Sequence, residues 1–375
     1  MANSETNRRL IEDAMTQLDA KFQGLKKVNI MIAGKTGVGK STLINATFGD
    51  TMAATGIGKP LTNHISLIEK PDFPVRIYDT VGFELNQFNQ VLSTLKIKHI
   101  LHKAQHTKTL DDDIHCLWYC VLSPGSKIEG AELKFMKHFL DRGVPVVLVL
   151  TEAFSKTEAE ALANEVKKVL PEVRPVPVLA ADYESIPAYG VPELLETTVS
   201  LLPEALQASF VDAQQGSLAM KRQHAARLVN ESVAMNLGIG FVPLNVGPAD
   251  TVTMSAVQTK MLASVTSVYE VSMKRNQIET ILTSMLGVMG AAYAGKAAAS
   301  WLKAIPGVGT ITGGLISGGV GASITAVLGY AYIQLMEQVV TGKLDLSDLS
   351  NDELTAFITD LLRQTASLKS QTSFK

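Results

Sequence analysis

The chain has 375 residues and a formal net charge of −2, with 46% hydrophobic and 19% charged residues. This length predicts two domains, and the near-neutral charge gives no reason to expect nucleic-acid binding. The N-terminus lacks an apolar run behind a basic start, so no secretory signal is predicted. The two cysteines, Cys116 and Cys120, lie on one face of a predicted strand, roughly 13 Å apart and too far for a disulfide. We interpret them as reduced core residues of a cytoplasmic protein.

Charged residues thin out sharply in the second half of the chain. The uncharged segments are Ser232–Ala249, Thr280–Gly295 and Ala304–Met336. This shift places a domain boundary near residue 205. The predicted parts are an N-terminal amphipathic helix (1–26), an α/β domain (27–205) and an all-α, glycine-rich hydrophobic domain (206–375).

Short apolar runs alternate with helical segments in the first half. Such alternation predicts a mostly parallel sheet with helices on both faces. The predicted strands lie at 28–33, 65–69, 75–79, 115–122, 145–150 and 176–180. The main predicted helices lie at 129–142 and 156–169, and the second and third strands form a hairpin.

The stretch GKTGVGKST follows the first predicted strand and leads into a helix. Its glycines allow a tight loop whose backbone N–H groups turn toward phosphates, and the helix N-terminus adds partial positive charge. Lys40 can reach terminal phosphates and the Ser41 hydroxyl can hold Mg²⁺. The predicted phosphate-binding residues are Gly34, Lys35, Thr36, Gly37, Val38, Gly39, Lys40, Ser41 and Thr42.

Three downstream residues complete the predicted catalytic site. Asp79 ends a strand and can hold the Mg²⁺ shell, while Gly82 can offer its N–H to a γ-phosphate. Thr62 can add a second hydroxyl to Mg²⁺ when the terminal phosphate is present, as in a switch loop. A plain loop threonine and a strand-end cap are the alternative interpretations of Thr62 and Asp79. We expect Lys40, Thr62 and Gly82 to act in hydrolysis, and Ser41, Thr62 and Asp79 to bind the metal.

GKTGVGKS, Thr62 and DTVG (79–82) together resemble the motifs of the translation-factor-related, Era-like P-loop GTPases. The resemblance covers roughly 27–200, and GKTGVGKSTLIN looks especially like the branch of septins, immunity-related GTPases and chloroplast import GTPases. It implies an α/β P-loop GTPase domain that converts GTP to GDP with Mg²⁺. Because many members of that branch dimerise through their nucleotide faces, it also implies a homodimer formed by the G domains.

The base-reading motif departs from this family. The family has Asn-Lys-x-Asp at the end of its fifth strand, whereas this chain has Thr151-Glu152 and no following Asp. Glu152 then accepts the guanine hydrogen bonds from a different position, or a partner chain helps. The last motif, usually Ser-Ala-Lys, appears as Ala180–Asp182. We expect Thr151, Glu152 and Ala181 to contact the base.

A second departure concerns hydrolysis. Phe83 follows the motif glycine where a water-positioning glutamine would stand, and phenylalanine cannot polarise water. We therefore expect a slow GTPase that needs a group from elsewhere in the chain, a dimer partner or another protein. The loop 84–113 and Lys127 are candidates, although solvated surface is the favoured interpretation of both.

The second half carries glycines at four-residue spacing in long apolar segments. The favoured interpretation is a buried helical hairpin in a soluble bundle. The alternative is that 280–300 and 308–336 enter a bilayer, which takes ~20 residues. Asp250 is predicted to be a helix N-cap, and Ser350 with Glu353 a capping box at the start of a last helix.

PLNVGPAD (243–250), Gln258 and 305–310 resemble a bacterial helical module of unknown function that is sometimes fused to GTPase domains. This resemblance implies contact with a membrane or membrane protein through 232–340, and a peripheral position at the inner face of the membrane. Three hypotheses remain open: a GTPase switch, a nucleotide-binding pseudo-GTPase scaffold, and a membrane-active effector timed by its G domain.

Overall fold

The computed structural model describes residues 9, 12–20, 24, 26–49, 59–62, 65–70, 73–80, 113–125, 127–240, 248–269, 275–293 and 318–372. The chain forms two compact units. One is Leu25–Met220; the other consists of Met1–Gly24 and Lys221–Lys375. The domain limits expected from composition, at 26 and 205, stay predictions.

The first unit is built on a seven-stranded sheet with the order β2-β3-β4-β1-β5-β6-β7. Strands β2 and β3 are antiparallel to their neighbours, and the remaining pairs are parallel. The strands are β1 (Val28–Ala33), β2 (Lys59–Thr62), β3 (Ile65–Ile68), β4 (Val75–Thr80), β5 (Cys116–Leu122), β6 (Val146–Thr151) and β7 (Arg174–Pro177). The predicted mostly parallel sheet is therefore confirmed.

The sequence did not predict β2, and it placed β7 slightly too late. The short β2 contains Pro60, which cannot donate to a ladder, and it lies at the edge of the sheet, where a proline is tolerated. The label α1 is kept for the helical residues 12–20, which belong to the other unit. The helices of this unit are α2 (Lys40–Phe48), α3 (Gly130–Leu140), α4 (Lys156–Val169), α5 (Val191–Leu201) and α6 (Glu204–Ala213).

Strand β5 is buried on both faces, because helices cover both sides of the sheet. The Trp118 ring stacks on Phe48 of α2 at 6.1 Å and meets Phe210 of α6 edge-on at 6.5 Å. Tyr119, on the opposite face, packs against Phe135 of α3 at 5.8 Å. Alternate side chains of one strand thus fill two separate cores, as a fully covered strand requires.

The two cysteines lie in this strand as buried free thiols, as predicted. Burial raises the pKa of both Cys116 and Cys120 to about 12. Neither thiol is therefore ionised near neutral pH, and the sulfur atoms pack as apolar core groups.

The segment after α6 rests on the C-terminal end of α2. The Gln215 backbone N–H donates to the Thr47 carbonyl oxygen at 2.7 Å. At Gly216 a Cβ would lie 2.5 Å from Cγ1 of Val191 and 3.0 Å from the Ala46 carbonyl oxygen, so this approach requires glycine. The main chain that leads toward the helical part is therefore attached to the helix that begins at Lys40.

The second unit is helical, which confirms the predicted all-α region. Its helices are α1, α7 (Leu218–Gly240, from residue 221), α8 (Pro248–Tyr269), α9 (Arg275–Tyr293), α10 (Gly318–Val340) and α11 (Asn351–Thr372). In α1, Ala14, Met15 and Leu18 are buried, as one face of the predicted amphipathic helix would be. Residues 294–317, which connect the two apolar segments, lie outside the described residues.

The core of the helical unit contains hydrogen-bonded polar side chains. The Thr325 hydroxyl of α10 accepts from the amide nitrogen of Asn236 at 2.6 Å and from that of Gln258 at 3.1 Å. These bonds join α7, α8 and α10. At Gly329 a Cβ would lie 2.6 Å from the methyl groups of Val229, so α7 and α10 approach closely here. Among the helices that the structure describes, none is both long and apolar enough to cross a membrane.

Two predicted helix starts have different outcomes. The capping box is confirmed: the Ser350 N–H donates to Glu353 Oε2 at 2.9 Å, and the Glu353 N–H donates to the Ser350 hydroxyl at 3.3 Å. The N-cap prediction for Asp250 is wrong, because α8 begins at Pro248 and Asp250 lies in its first turn. Proline suits the first helical position, where its missing N–H has no partner to lose.

Candidate functional site

The loop between β1 and α2 has the conformation that its glycines predict. Gly34, Gly37 and Gly39 have φ values of 147°, 81° and 82°, which residues with a side chain rarely adopt. A Cβ at Gly34 would lie only 2.3 Å from the Cys120 carbonyl oxygen. The loop therefore passes so close to β5 that only glycine fits at its first position.

Lys40, the first residue of α2, lies inside this loop. Its Nζ donates to the carbonyl oxygens of Gly34 and Lys35, both at 2.9 Å. Burial lowers the pKa of Lys40, and the negative charge of Asp79 partly offsets that effect. The ammonium group is thus held where the loop encloses it, and its predicted contact with phosphates stays a prediction.

Asp79 lies at the carboxyl end of β4, paired in register with Ile32 of β1. Burial raises the pKa of this carboxyl group, and Lys40 acts in the opposite direction. The neighbouring Thr80 hydroxyl donates to the Ile32 carbonyl oxygen at 3.0 Å and fixes the end of β4 against β1. Strand pairing therefore brings Asp79 to the start of the loop 34–41, which is called the phosphate loop below.

The residues at this end fit a magnesium ion. One carboxylate oxygen of Asp79 is buried and has no hydrogen-bond partner within the part of the chain that the structure describes. The Ser41 residue is exposed in the first turn of α2, beside Lys40. A carboxylate and a hydroxyl are oxygen donors of the kind that Mg²⁺ prefers.

The remaining predicted metal and catalytic residues are only partly described. Thr62 ends β2 and pairs with Ile65, and Ile65 pairs with Thr80 of β4. The Thr62 backbone therefore lies at the same end of the strands as Asp79. Gly82 lies outside the described residues, as do Phe83 and residues 84–112 of the predicted contact loop.

Lys35 links the phosphate loop to helix α3. Its Nζ lies 3.1 Å from Glu129 Oε1 and 3.7 Å from the buried carboxylate of Glu132. The Tyr119 hydroxyl donates to Glu132 at 3.1 Å, and Glu132 caps the helix by accepting from the Glu129 N–H at 2.9 Å. The sequence analysis missed this cluster, although the three-residue spacing of the two glutamates is a capping-box signal.

A cavity of about 200 Å³ adjoins the phosphate loop. Lys35, Thr36, Gly37 and Val38 line one side, and Lys127 lies at its wall together with the end of β5. The structure therefore brings Lys127, a candidate from the sequence, close to the loop, and Thr36 and Gly37 are exposed there.

The predicted base-contacting residues follow strands β6 and β7. Thr151 is buried, and its hydroxyl donates to the Val121 carbonyl oxygen at 3.1 Å. This bond joins the ends of β5 and β6. A Cβ at Gly39 would lie 3.8 Å from Cβ of Thr151, which places the end of β6 beside the phosphate loop. Glu152 is exposed with a left-handed φ of 50°, and Ala181 is exposed beyond β7.

Two aromatic residues at this end were missed by the sequence analysis. Phe154 follows β6 and Tyr183 follows β7, and their ring centroids are 4.3 Å apart with 41° between the ring planes. The available signal was the position of Phe154, three residues after Thr151, where the family's motif has aspartate.

Two family models match separate parts of the chain. Residues 29–171 match "50S ribosome-binding GTPase", and residues 207–367 match "Domain of unknown function (DUF697)". The first match contains the phosphate loop and Asp79, while the second contains helices α8 to α10.

Curated relatives match the first part. Sporulation-regulated protein 3 of Saccharomyces cerevisiae is 24% identical over 164 residues, which is 40% of this chain and 32% of that protein. Neuronal-specific septin-3 of Rattus norvegicus is 25% identical over 167 residues, which is 38% of this chain and 46% of that protein. The chain thus spans less than half the length of either relative.

A solved structure of translation elongation factor SelB from Methanococcus maripaludis, in complex with the GTP analogue GppNHp, is 16% identical. It covers 48% of this chain and 35% of that one, with a TM-score of 0.30. Residues 29–171 are therefore similar to a P-loop GTPase domain, with septins among the relatives, and residues 207–367 are similar to a module described as a domain of unknown function.

Proposed function

We propose that this protein is a molecular switch that binds GTP with Mg²⁺ and hydrolyses it to GDP. The observation that carries the proposal is the position of Lys40, whose ammonium group is held within the glycine loop and beside Asp79. A preorganised cation inside a glycine-rich loop at a helix N-terminus suits the β- and γ-phosphates of a nucleotide.

The residues predicted to bind phosphate and metal have these roles in the proposal. The backbone of 34–41 and the Lys40 ammonium hold the phosphates, and Ser41, Thr62 and Asp79 supply oxygen ligands to the metal. The bound Mg²⁺ would neutralise phosphate charge. Hydrolysis would use Thr62 and Gly82 for the γ-phosphate. It would be slow, because Phe83 cannot orient water as glutamine does.

The direct test is calorimetric titration of GTP, GDP and ATP into the full chain and into Lys40→Ala. We expect micromolar or tighter binding of GTP and GDP, at least hundredfold weaker binding in Lys40→Ala, and weaker GTP binding after Asp79→Asn only when Mg²⁺ is present. Equal affinity of the wild type and Lys40→Ala for GTP would contradict the proposal.

A turnover assay separates the switch from the alternative of a pseudo-GTPase scaffold. Phe83 in place of glutamine favours the alternative, because hydrolysis then lacks its usual water-positioning group. Release of phosphate from GTP, abolished by Lys40→Ala, supports the switch. Tight GTP binding with no phosphate release at any protein concentration supports the scaffold.

We also propose that G domains pair and that pairing raises the hydrolysis rate. The similarity to septin sequences supports this proposal, as does the need for a catalytic group beyond Phe83. Sedimentation analysis with a non-hydrolysable GTP analogue should show a dimer, and turnover per chain should increase with protein concentration. A monomer whose turnover per chain is independent of concentration would contradict dimer activation.

Nucleotide state would reach the helical part through the segment after α6. This segment is hydrogen-bonded to the end of α2, whose first residues hold the phosphates. Hydrogen exchange should show that the GTP analogue changes protection in 214–240. Gly216→Ala, which forces the segment away from Ala46 and Val191, should weaken that change while leaving GTP affinity within about threefold.

The helical part is proposed to contact a membrane or a membrane protein through 232–340 at the cytoplasmic face. Its charge-free segments support this proposal. Flotation with liposomes, with and without the GTP analogue, tests it. Flotation that depends on nucleotide supports a peripheral switch. Flotation that is equal with and without nucleotide favours a membrane-active effector.

A further inference from the structure

Phe154 and Tyr183 form an aromatic surface at the carboxyl ends of neighbouring parallel strands. Their rings are in contact, with centroids 4.3 Å apart. Phe154 is half-buried and supports Tyr183, whose residue surface is 48% exposed. An isolated exposed aromatic residue needs no functional explanation. The surroundings of this pair, however, distinguish it from incidental surface.

The loop that carries Tyr183 is closed by hydrogen bonds. The backbones of Tyr183 and Ile186 exchange two bonds, at 2.9 and 2.8 Å, and Asp182 accepts from the Ala188 N–H at 2.7 Å. Tyr189 pairs with Leu179 at the base of the loop. The backbone around Tyr183 is therefore held before any ligand arrives, so a ligand that stacks on it orders little additional chain.

The distance from the phosphate loop suits the length of a nucleotide. In the sheet order β1-β5-β6-β7, strands β6 and β7 lie roughly 10 and 14 Å from β1 by the usual strand spacing. The phosphate loop follows β1, Phe154 follows β6, and Tyr183 follows β7. In open α/β sheets, ligands lie across such carboxyl ends. A nucleotide whose phosphates meet Lys40 therefore places its base near the aromatic pair.

We propose that the nucleotide base is held by stacking on the Phe154–Tyr183 surface, with little dependence on the 2-amino group that distinguishes guanine from hypoxanthine. The proposal rests on the proposed function, because it assumes that phosphates occupy the loop at Lys40. The free energy of stacking on aromatic side chains depends on the area of the stacked ring and little on the groups around that ring. The carboxylates near the two rings, those of Glu152, Asp182 and Glu184, are all exposed to solvent. A hydrogen bond from any of them to the 2-amino group of guanine would replace one to water, so it adds little to affinity. Base affinity thus comes from the rings, and the 2-amino group of guanine contributes little to it.

The test compares GTP with ITP, which lacks only the 2-amino group. Both are titrated with Mg²⁺ into the wild-type full chain, Tyr183→Ala, Tyr183→Phe and Val169→Ala. The Phe variant keeps the ring, and the Val169 variant removes another exposed apolar side chain of the same unit. Thermal unfolding of the nucleotide-free proteins checks that each variant folds.

We expect the wild type to bind ITP within about fivefold of GTP. Tyr183→Ala should weaken both nucleotides by about tenfold and by the same factor, as loss of one stacked aromatic does. Tyr183→Phe and Val169→Ala should bind within twofold of the wild type. A Tyr183→Ala protein that binds both nucleotides as the wild type does would overturn the stacking proposal and leave the GTP switch intact. A loss confined to GTP would also overturn it, whereas a wild type that binds no nucleotide would end both proposals.

Discussion

The candidate site has two ends, the loop 34–41 that is proposed to hold phosphates and the segment with Phe154 and Tyr183 that is proposed to hold the base. Different interactions determine the geometry of each end. At the phosphate end, three glycines with positive φ and one buried lysine determine the geometry, and the contacts are with main-chain atoms. At the end proposed to hold the base, Thr151, one of three residues expected to contact the base, donates to a strand carbonyl, and the rings of Phe154 and Tyr183 are in contact.

This difference shows which part of nucleotide recognition depends on a fixed motif. Phosphate binding needs converging backbone N–H groups and a cation, and only glycines at set positions allow that loop. A base can be held by hydrogen bonds to its edge or by contact with its faces, so several side-chain sets serve. The phosphate end is therefore constrained by backbone sterics, whereas the proposed base end would be constrained only by contact with the faces of the base.

The largest expected effect is at the phosphate end, from Gly34→Ala. The added Cβ would lie 2.3 Å from the Cys120 carbonyl oxygen, so the loop has to move away from β5. We expect GTP affinity to fall by at least about a hundredfold, because the N–H groups no longer converge. Calorimetric titration with GTP measures it.

Gly37→Ala is the matched control for that clash. Gly37 also has a positive φ, of 81°, but a Cβ there meets nothing within 4 Å. In the nucleotide-free protein it therefore introduces only the backbone strain of a left-handed alanine, about 1–2 kcal/mol. If both variants lost affinity equally, the close approach to β5 would not be what shapes the loop.

The next effect comes from a substitution that places a carboxylate where the GTPase motif has its base-reading aspartate. Phe154→Asp introduces a carboxylate three residues after Thr151 and removes one ring of the aromatic pair. We expect overall affinity for purine nucleotides to fall, while preference for GTP over ITP rises by about tenfold, as a hydrogen bond to a charged group provides. Phe154→Leu, titrated with the same two nucleotides, should lose affinity without gaining preference. Equal preference in the Asp and Leu variants would show that the base lies elsewhere.

A smaller effect separates a structural from a ligand-binding role for Thr151. Thr151→Val removes the hydroxyl that donates to the Val121 carbonyl oxygen. We expect stability to fall by about 1 kcal/mol, which lowers Tm by about 2–4 °C. The ratio of GTP to ATP affinity should stay within twofold. A changed ratio with unchanged Tm would restore Thr151 to the base contacts predicted from the sequence.

The same contrast explains what the sequence could predict. The loop 34–41 was predicted correctly because glycine and lysine positions leave few alternative backbone paths. Strand β1 was predicted from a short, nearly all-apolar run, in which Asn29 is the one polar residue. Both signals are local, so neighbouring residues alone carry them.

Features that depend on contacts between distant segments were not predicted. Phe154 and Tyr183 are 29 residues apart in sequence, and only the pairing of β6 with β7 brings their loops together. The bond from Lys35 to Glu129 likewise depends on α3 packing beside the loop. The position of Phe154 was visible in the sequence, but the spacing of an aromatic pair of this kind is not fixed, so no sequence motif predicts its partner Tyr183.

The smallest effect tests whether the side chains of the phosphate loop matter beyond Lys40. Lys35 pairs with Glu129 and Glu132, and it remains partly exposed, so solvent weakens the pair. Lys35→Met keeps the length of the side chain and removes its charge. We expect GTP affinity to change by less than about threefold and stability by less than about 1 kcal/mol. The buried Glu132 keeps its bonds from Tyr119 and from the Glu129 N–H, which limits the cost of losing the cation.

Titration with GTP and thermal unfolding of the same protein measure both quantities. The control is Lys137→Met, which breaks an exposed pair with Asp141 at the end of α3. A tenfold loss of GTP affinity confined to Lys35→Met would mean that this side chain also meets the phosphates, and the phosphate end would then depend on a second cation as well as on its backbone.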